Sequence, residues 1–581
     1  MLQTVTVLNN PALIEGAPSL IEKPFSGLWL VFWAIALSIG WLLPNHYLPW
    51  SSFHTEAWVA VLALLAAWIV LLRTQGQVSV YASGAMVAIV ALLPFFQVWA
   101  GLVTSEAVAA VNTIYLSGLL LTILIGSRWE VCSPLQLVDG LFLAICVACT
   151  VSVGLQLHQA LNLQLLFIWD MGNFTGRPFA NFGQPNLLAT FLLWGLISVG
   201  WALARNRIGG WVALFLAAFF LLGIALTGSR TAWLGIVLIN AAAWYWRKLA
   251  GRRPMHWPVL VLSLFFVVCL GVRGWFSVLL GDVGGPDIVR IATELRPQVW
   301  ELFLDAVWQQ PWFGYGWGQT VNAQLLVASR HAPIGSSYTH AHNLLLDSLL
   351  WMGVPIGLAA IALLAVWAWR RFSAITTMED ALLLLFLLIL CNHAMLEFPY
   401  AYAYFLLPAG FVVGVLDVRL GARVIFTISR HVAVGLCLAV TLLFGAIARD
   451  YFLIEASYSA LRFELANIKT NASAAAPSVL ILTNLRDLIT YVRFEPYAGM
   501  SPQELAWMRG VATQYPSSGI IHKYAAALAW DGQVEESQLW LVRLCKVVPP
   551  LECAAVRRQW IEHSKFDASW RAVKWPDSLP N

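Results

Sequence analysis

Two histidines separated by one residue, His340 and His342, are the side chains of this sequence best suited to proton transfer. Imidazole titrates near neutral pH, so either ring could accept a proton from a hydroxyl group that attacks as a nucleophile. Residues at i and i+2 point to the same side only in extended backbone. A zinc site would need a further ligand, and no cysteine or carboxylate cluster nearby supplies one. The pair predicts a general base that works without a metal. The alternative is that both rings are hydrogen-bonded to backbone groups at the start of a helix.

A second group of polar residues, Arg177, Asn181, Gln184 and Asn186, lies just before an apolar stretch. These side chains offer a positive charge and several hydrogen-bond donors at a predicted membrane boundary, where an anionic lipid headgroup could be held. The alternative is an interfacial turn in which Asn186 caps the helix that follows. For Asn186 taken alone, capping is the better explanation.

Arg230 follows Gly228 and Ser229 at a break between two long apolar runs. An arginine near a membrane must face protein, water or an anion, because exposure to lipid is costly. Its permanently charged guanidinium can grip a phosphate with two parallel hydrogen bonds, so the break predicts a phosphate site. The alternative is an arginine whose long stem lets the charge reach the headgroup region.

The long polar loop before residue 344 carries three motifs in order. Arg296 begins an Arg-Pro-Gln-Val-Trp segment, and three glycines then alternate with aromatic residues over 311–318. Glycines in that pattern suit a tight turn held against a membrane surface. The loop ends with the segment that runs from Tyr338 through both histidines to Asn343.

Glu397 stands between two apolar runs and is followed by a group of tyrosines, Tyr400, Tyr402 and Tyr404. An aromatic belt at the membrane interface would explain the tyrosines. It does not explain the carboxylate, which could orient a histidine or pair with one of the arginines.

Membrane helices must position these residues, because 60% of the 581 residues are hydrophobic and only 11% are charged. Soluble proteins average roughly 25% charged residues, and a spanning helix needs about 20 mostly apolar ones. The net charge of +4 is spread over short loops, which argues against a nucleic-acid partner. No signal peptide is predicted, since no small-residue cleavage site follows the first apolar run. Apolar runs predict thirteen spans, near residues 28–43, 56–72, 78–98, 107–126, 137–157, 186–203, 209–227, 231–246, 257–272, 344–369, 381–396, 401–418 and 432–448.

Basic residues of the loops orient these spans. With the N-terminus in the cytoplasm, most of them fall on the cytoplasmic side, which satisfies the positive-inside rule. In the short loops of the opposite face the basic residues are Arg177 and Arg230, so orientation does not explain them. A loop of some seventy residues, such as 273–343, is far longer than ordinary connections and is usually functional.

The predicted organisation has four parts, which are an N-terminal transmembrane bundle (1–272), a large periplasmic loop with the catalytic segment (273–343), C-terminal transmembrane helices (344–449) and a periplasmic helical domain (450–581). In the last part, residues 524–538 resemble one tetratricopeptide hairpin, although any amphipathic helical hairpin has an equal claim. Cys545 and Cys553 lie eight residues apart in this tail and are predicted to pair in an oxidising compartment.

Taken together, these residues resemble the O-antigen ligase and polymerase superfamily of membrane glycosyltransferases. The shared features are an outer-face arginine after a span, an Arg-x-x-x-Trp segment, a glycine-rich aromatic turn and a His-Asn helix start. Within the superfamily, the Gly-Gln-Pro-Asn segment at 183–186, the His-Ala-His-Asn segment at 340–343, the Glu-Phe-Pro run from Glu397 and the tail resemble PglL-type protein O-oligosaccharyltransferases. The resemblance covers the chain from about residue 170 to its end.

This resemblance implies an all-α polytopic membrane protein of the GT-C type, without a Rossmann domain, in the bacterial inner membrane. The site and the tail would face the periplasm. The donor would be a glycan on undecaprenyl diphosphate, and the acceptor a Ser or Thr hydroxyl of an exported protein such as a pilin. Neither a cofactor nor a metal is expected.

The chemistry of such a transfer assigns roles to the candidate residues. Positive charge on Arg177, Arg230 and Arg296 would stabilise negative charge on the departing diphosphate. His342, with His340 as second candidate, would take the proton of the incoming hydroxyl, which is typically worth 10² to 10⁴ in rate. Glu397 would assist catalysis, and the residues expected to bind the diphosphate or glycan are Arg177, Gln184, Asn186, Arg230, Arg296, Tyr338 and Asn343.

Other functions fit part of this pattern. An O-antigen ligase would use a lipid A core sugar as acceptor and a polymerase another lipid-linked glycan, and the tail argues mildly against both. A transporter of lipid-linked glycans would carry ionisable residues near span centres, whereas these candidates cluster at one face. In a membrane scaffold the tail would bind peptides, and the arginines and histidines would be incidental.

Overall fold

The computed structural model describes residues 26–163, 165–166, 168–172, 176–250, 256–279, 295–468 and 475–576, without the side chains of 250 and 272–279. Nearly all regular structure in these ranges is helical. The helices before the long loop are α1 (Gly27–Gly40), α2 (Phe53–Arg73), α3 (Ala82–Trp99), α4 (Glu106–Cys132), α5 (Gln136–Ala160), α6 (Pro185–Ala204), α7 (Gly210–Thr227), α8 (Arg230–Tyr245) and α9 (His256–Leu279).

The long loop and the region after it contain α10 (Arg296–Gln309), α11 (Thr320–Val327), α12 (Leu344–Ser373), α13 (Met378–Ala394), α14 (Ala403–Arg419) and α15 (Arg430–Leu465). The tail contains α16 (Thr483–Arg493), α17 (Pro502–Gln514), α18 (Ser518–Trp530), α19 (Val534–Val547), α20 (Pro550–Ser564) and α21 (Ala568–Ala572). Short 3₁₀ turns occupy Arg247–Ala250, Ala328–Arg330 and Pro399–Ala401. Strands β1 (Val78–Tyr81) and β2 (Val424–Ile428) pair in antiparallel fashion, with Val78 opposite Ile428.

Within the described ranges, eight helices are long and apolar enough to cross a membrane, namely α2, α3, α4, α5, α6, α7, α12 and α15. The prediction of an all-helical membrane protein is therefore confirmed. A helix lies at each of the thirteen predicted positions, but α1, α8, α13 and α14 have only 14, 16, 17 and 17 residues. The full number of spans stays a prediction. The predicted span at 78–98 begins as β1, and its helix starts only at Ala82.

Glycines bring α4 and α14 into backbone contact. A Cβ added at Gly126 would collide with the Phe411 carbonyl oxygen, and one at Gly414 with the Ile123 carbonyl oxygen. Small residues at helix crossings allow such close approach inside a membrane. The contact holds α14 against α4, and the turn that precedes α14 carries Glu397.

Helix α12 is broken at Gly353, whose φ of 75° and ψ of 169° are not helical. The predicted glycine-aromatic turn lies in this break, where Tyr315 N donates to Leu350 O at 2.7 Å and Val354 N donates to Pro311 O at 2.7 Å. These bonds satisfy backbone groups that the broken helix leaves free. The prediction of a tight turn is confirmed, and the turn holds the first part of α12 directly behind the histidine segment.

The tail helices enclose a core of their own, with Trp540, Trp560 and Tyr491 fully buried. The predicted helical hairpin is formed by α18 and α19, joined by a hydrogen bond of 2.7 Å from Ser537 Oγ to Ala525 O. The predicted disulfide between Cys545 and Cys553 is also confirmed, with Cα atoms 5.0 Å apart. Helix α15 continues from the bundle into the tail through the predicted boundary at 449/450.

Candidate functional site

The carboxylate of Glu397 is the centre of a buried network at one end of the helix bundle, called the site end below. The residue lies in the turn between α13 and α14 and is 6% exposed. Arg296 Nη2 donates to Glu397 Oε1 at 2.9 Å, and His393 Nε2 donates to Oε2 at 3.1 Å. Asn186 Nδ2 also donates to Oε1. Both partnerships predicted for this carboxylate, with a histidine and with an arginine, are therefore present.

The electrostatic balance at Glu397 favours the charged form. Burial by itself raises the pKa of a carboxyl group. At Glu397 this is outweighed by the hydrogen bond and charge of His393, the charge of Arg296 and the hydrogen bond of Asn186, which hold its pKa below the ordinary value. At neutral pH the network therefore contains a negative charge that orients Arg296.

His393 is a residue that the sequence reasoning missed. Its side chain is fully buried, and its Nδ1 lies 2.9 Å from the hydroxyl of Thr190. The two ring nitrogens of His393 therefore bridge the Glu397 carboxylate and the Thr190 hydroxyl. A histidine inside an apolar run, four residues before a carboxylate, was the signal that could have identified it.

Arg177 and Asn186 extend the network towards α7. Arg177 Nε donates to Thr227 O at 2.8 Å, and its Nη2 donates to Asn186 Oδ1 at 3.3 Å. The expectation that Asn186 caps α6 is wrong, because the cap is Gln184 and Pro185 takes the first helical position. Proline suits that position, where its missing N–H costs no hydrogen bond. Asn186 is thereby free to bridge Arg177 to Glu397, while the Gln184 side chain is exposed and makes no capping bond.

Arg230 begins α8, and its side chain is exposed. In the part of the chain that the structure describes, no acceptor neutralises it. The start of α8 lies beside the Glu397 network, since Arg177 binds Thr227 O just before it and Asn392 Nδ2 donates to Thr231 O at 3.2 Å. Ser229 is 1% exposed, and its hydroxyl has no partner among the described residues. This break therefore offers an uncompensated guanidinium at the site end.

The rings of His340 and His342 contact the same side chain, Phe398. The His340 ring stacks on it at 4.6 Å between centroids, and the His342 ring meets its edge at 4.9 Å. Both rings thus contact one side chain although the backbone is not extended throughout, because His342 has a φ of 57°. Tyr338 meets the His342 ring edge-on at 5.4 Å. Both histidines therefore face the turn that carries Glu397.

Asn343 caps α12, accepting from Leu345 N at 3.0 Å and Leu346 N at 3.2 Å. Its Nδ2 donates to Met395 O at 3.1 Å. The Asn343 side chain is thus engaged with backbone on both sides, and it ties the start of α12 to the end of α13.

Burial lowers the pKa of both histidines. For His340, burial and repulsion from His342 lower the pKa to about 3. For His342, burial lowers the pKa, the charge of Glu397 opposes this, and the charges of Arg296 and His393 add to the lowering. Both rings are therefore neutral near pH 7, which is the form that accepts a proton.

The Arg-x-x-x-Trp motif joins the two halves of the site. Arg296 and Trp300 are one turn apart on α10, so their side chains leave the same face of the helix. Arg296 binds Glu397, and Trp300 Nε1 donates to Ala341 O at 3.1 Å, between the two histidines. The motif therefore sets the histidine segment against the Glu397 network.

Asp347 is a second residue that sequence reasoning missed. It is completely buried, and its Oδ1 accepts from Ala341 N at 2.8 Å and from Thr320 Oγ1 at 3.2 Å. Its Oδ2 accepts from the Tyr400 hydroxyl. The carboxylate thus joins the residue between the histidines to the turn after Glu397. A carboxylate in the first turn of a predicted span was the available signal.

Two polar residues near Arg177 have structural partners. The Asp170 carboxylate binds His158 Nδ1 at 2.7 Å and Gln159 Nε2 at 2.6 Å. Asn181 donates to the carbonyl oxygens of Leu42 and Trp169. Neither joins the Glu397 network. Across the described ranges, no three His, Cys, Asp or Glu side chains are grouped closely enough to hold a metal ion.

Three family descriptions match successive parts of the chain. Residues 178–203 match a protein glycosylation ligase, residues 212–362 an O-antigen ligase, and residues 381–557 the C-terminal part of a virulence factor membrane-bound polymerase. The second match contains Arg230, Arg296 and His342, and the third contains Glu397. The matches therefore cover the arginines of α8 and α10, the histidine segment and the turn that meets it.

Two curated relatives come from Acinetobacter baylyi (strain ATCC 33305 / BD413 / ADP1). A general O-oligosaccharyltransferase is 30% identical over 531 residues, which cover 88% of this chain and 91% of the relative. A ComP-specific O-oligosaccharyltransferase is 25% identical over 417 residues, which cover 68% of this chain and 73% of that protein. The first similarity spans nearly the whole of both proteins. The chain therefore belongs to the PglL-type O-oligosaccharyltransferases, a family of membrane glycosyltransferases.

Proposed function

We propose that this enzyme transfers a glycan from undecaprenyl diphosphate to a Ser or Thr hydroxyl of an exported protein such as a pilin. The supporting observation is the Glu397 network, which places Arg296 on one carboxylate oxygen while its turn packs against His342 through Phe398. A cationic group and a neutral base thus lie around one buried turn.

The arginines stabilise the departing diphosphate. Arg230 has no acceptor in the described part of the chain, so its charge is available to an anion. Arg177 is oriented by Asn186, and Arg296 is oriented by Glu397. Because guanidinium groups are planar and always charged, they match phosphate oxygens with paired hydrogen bonds.

His342 is the base. The acceptor oxygen attacks the anomeric carbon, the bond from that carbon to the diphosphate oxygen breaks, and the electron pair leaves with the diphosphate. The hydroxyl proton passes to the neutral ring of His342. His340 suits this role less, because a base whose pKa is about 3 has little affinity for a proton at neutral pH.

The remaining candidates position these groups. Glu397 orients Arg296 and raises the proton affinity of His342. Asn343 and Asp347 hold the histidine segment, Tyr338 covers one edge of His342, and the exposed Gln184 is available to the glycan.

The proposed topology has thirteen spans in the bacterial inner membrane, with the site end and the tail in the periplasm. The positive-inside pattern supports it, as does the disulfide of the tail, since such bonds persist in oxidising compartments. The parts are those predicted, 1–272, 273–343, 344–449 and 450–581. Within the large loop, 280–294 lies outside the described residues. The α18–α19 hairpin is the candidate tetratricopeptide-like unit.

The test is to express the chain with an exported pilin and a pathway that makes a glycan on undecaprenyl diphosphate. Intact-protein mass spectrometry should show the glycan mass on a pilin Ser or Thr, and His342→Ala at equal membrane abundance should abolish it. Glycan found on lipid A core instead of protein would show a ligase, and a lengthened lipid-linked glycan would show a polymerase. Either result would overturn the proposal.

A further inference from the structure

We propose that the C-terminal helical domain positions the histidine segment through a clamp formed by Lys546 and the turn that the Cys545–Cys553 disulfide closes. The inference rests on the proposed role of His342 and assigns the domain a part in the chemical step, beyond any part in binding an acceptor.

Lys546 binds the segment that leads to the histidines through both its main chain and its side chain. Its carbonyl oxygen accepts hydrogen bonds from Ile334 N at 3.1 Å and Gly335 N at 3.2 Å. Its Nζ donates to His331 O at 2.7 Å. One residue at the end of α19 therefore fixes the main chain over residues 331–335.

The next residues of this segment are held by α11, which is itself built into the tail. Gln324 Nε2 donates to Ser336 O at 2.8 Å, and Gln324 Oε1 accepts from Tyr338 N at 2.8 Å. Val321 and Leu325 of α11 are buried in the same core as the tail helices. Through Gln324, the tail therefore fixes the main chain up to Tyr338, which is four residues before His342.

The disulfide closes the turn on which the clamp depends. Cys545 precedes Lys546, and the bond to Cys553 joins the end of α19 to the start of α20 across the turn. Gly335 rests on this turn, because a Cβ there would lie 3.7 Å from Pro550 Cδ and from Val548 O. Closing a short loop removes conformations in which its ends separate, so the bond holds the Lys546 carbonyl in place.

The histidine segment has anchors of its own near the rings, in Ala341 and Asn343. The tail clamp therefore fixes the N-terminal end of the histidine segment. We expect loss of the clamp to displace the histidine rings partly and not completely. Misplacement of a reacting group by about 1 Å can cost a hundredfold in rate. A domain that only captured the acceptor would instead affect the acceptor KM.

The tail also offers a matched control for Lys546. Lys523 is another lysine whose Nζ donates to backbone, at 3.0 Å from Val492 O and 2.8 Å from Phe494 O, but these contacts lie within the tail. Lys523 Nζ also pairs with Glu495 Oε1 at 3.0 Å. Lys546→Met and Lys523→Met thus both remove an ammonium group bound to backbone carbonyl oxygens, next to the histidine segment and away from it. The double variant Cys545→Ser/Cys553→Ser tests the turn independently, because it removes the disulfide that closes it.

The experiment uses the full chain in lipid nanodiscs, with a lipid-linked glycan as donor and a purified pilin as acceptor. Hydrogen exchange of the peptide spanning 331–342 and the kinetics of transfer are measured for each variant. We expect Lys546→Met and the double cysteine variant to speed exchange at Ile334 and Gly335 and to lower kcat about tenfold, with the acceptor KM unchanged. Lys523→Met should leave the exchange and kcat as in the wild type.

Faster exchange with unchanged kcat, or a changed acceptor KM alone, would overturn the clamp. So would unchanged exchange in both Lys546→Met and the double cysteine variant. His342→Ala separates this inference from the function on which it rests. That variant should stop transfer while exchange at 331–342 stays protected, and transfer by it would refute the histidine base without bearing on the contacts of the tail.

Discussion

Arg296 Nη2 lies 2.9 Å from Glu397 Oε1, and this pair joins the long loop to the turn between α13 and α14. The Glu397 side chain is 8% exposed and the Arg296 side chain 24% exposed, so one partner is buried and the other still reaches solvent. A guanidinium oriented by a buried carboxylate is held ready for an anion on its open side. The two residues are 101 positions apart, and their contact converts a loop motif into part of a site.

Replacing the arginines should weaken the use of the donor. For Arg230→Ala and Arg296→Ala we expect a raised KM for the lipid-linked glycan and a lower kcat, because less charge offsets the leaving diphosphate. Lysine should rescue each only partly, since it supplies charge without the planar fork. Steady-state kinetics in membranes measure both effects.

Arg330→Ala is the matched control for these variants, because it removes an exposed arginine that lies, like Arg296, in the long loop and makes no bond to the Glu397 network. Its kinetics should equal those of the wild type. Full activity of Arg230→Ala and Arg296→Ala would show that neither arginine serves the diphosphate.

Removing the histidines should affect the chemical step more than donor binding. His342→Ala should lower transfer at least about a hundredfold, the low end for losing a general base. Binding of the lipid-linked donor, measured by filter retention on membranes, should stay near the wild-type value. His340→Ala should cost less, because a ring whose pKa is about 3 is a poor proton acceptor at neutral pH.

The opposite ranking of the two variants would move the base to His340. Near wild-type transfer by both would mean that no histidine base operates, and the hydroxyl would have to be activated by another group such as Glu397. Equal amounts of each variant in the membrane are required for either conclusion.

The parts of the site that could be predicted from the sequence are those encoded by residues close together in the chain. Composition predicts the helices, glycine spacing predicts the turn over 311–318, and residue type alone picks out His342 and Arg230. Sequence reasoning did not find His393 or Asp347, because the partner of His393 in α6 is 203 positions away and that of Asp347 in the 3₁₀ turn is 53 away. The capping role given to Asn186 was wrong because Pro185 moves the helix start back by two residues.

His393 should act through Glu397. Replacing it by Leu leaves a buried carboxylate without one of its donors, and loss of a hydrogen-bond partner at a buried group typically costs about 1–3 kcal/mol. We expect His393→Leu to lower Tm and transfer together. Combined with Glu397→Gln, it should add little to the loss of either single variant, because residues of one network are not additive. Additive losses in this double-mutant cycle would place His393 outside the pathway to Arg296.

The orientation of the chain can be checked at its end. Thirteen spans from a cytoplasmic N-terminus place the C-terminus in the periplasm, so alkaline phosphatase fused after Asn581 should be active. A β-galactosidase fusion at the same position should be inactive, and both fusions after Arg247 should give the reverse result. An active β-galactosidase after Asn581 would refute the topology, and with it the periplasmic location of the site end.

The last prediction concerns pH. Burial lowers the pKa of His342, and the charges of Arg296 and His393 act in the same direction, while the charge of Glu397 opposes them. The neutral ring is the base, so kcat should stay constant down to pH 6.5, the ordinary histidine value, and fall only below it.

Glu397→Gln tests the direction in which the charge of Glu397 shifts the pKa of His342. The variant removes a neighbouring charge that raises the pKa of His342, so the acid limb of its pH profile should move to lower pH even as kcat falls. Loss of orientation alone would lower kcat at every pH without moving the limb. A limb that moves to higher pH, or lies above pH 6.5 in the wild type, would mean that the titrating group is not a buried His342 beside Glu397.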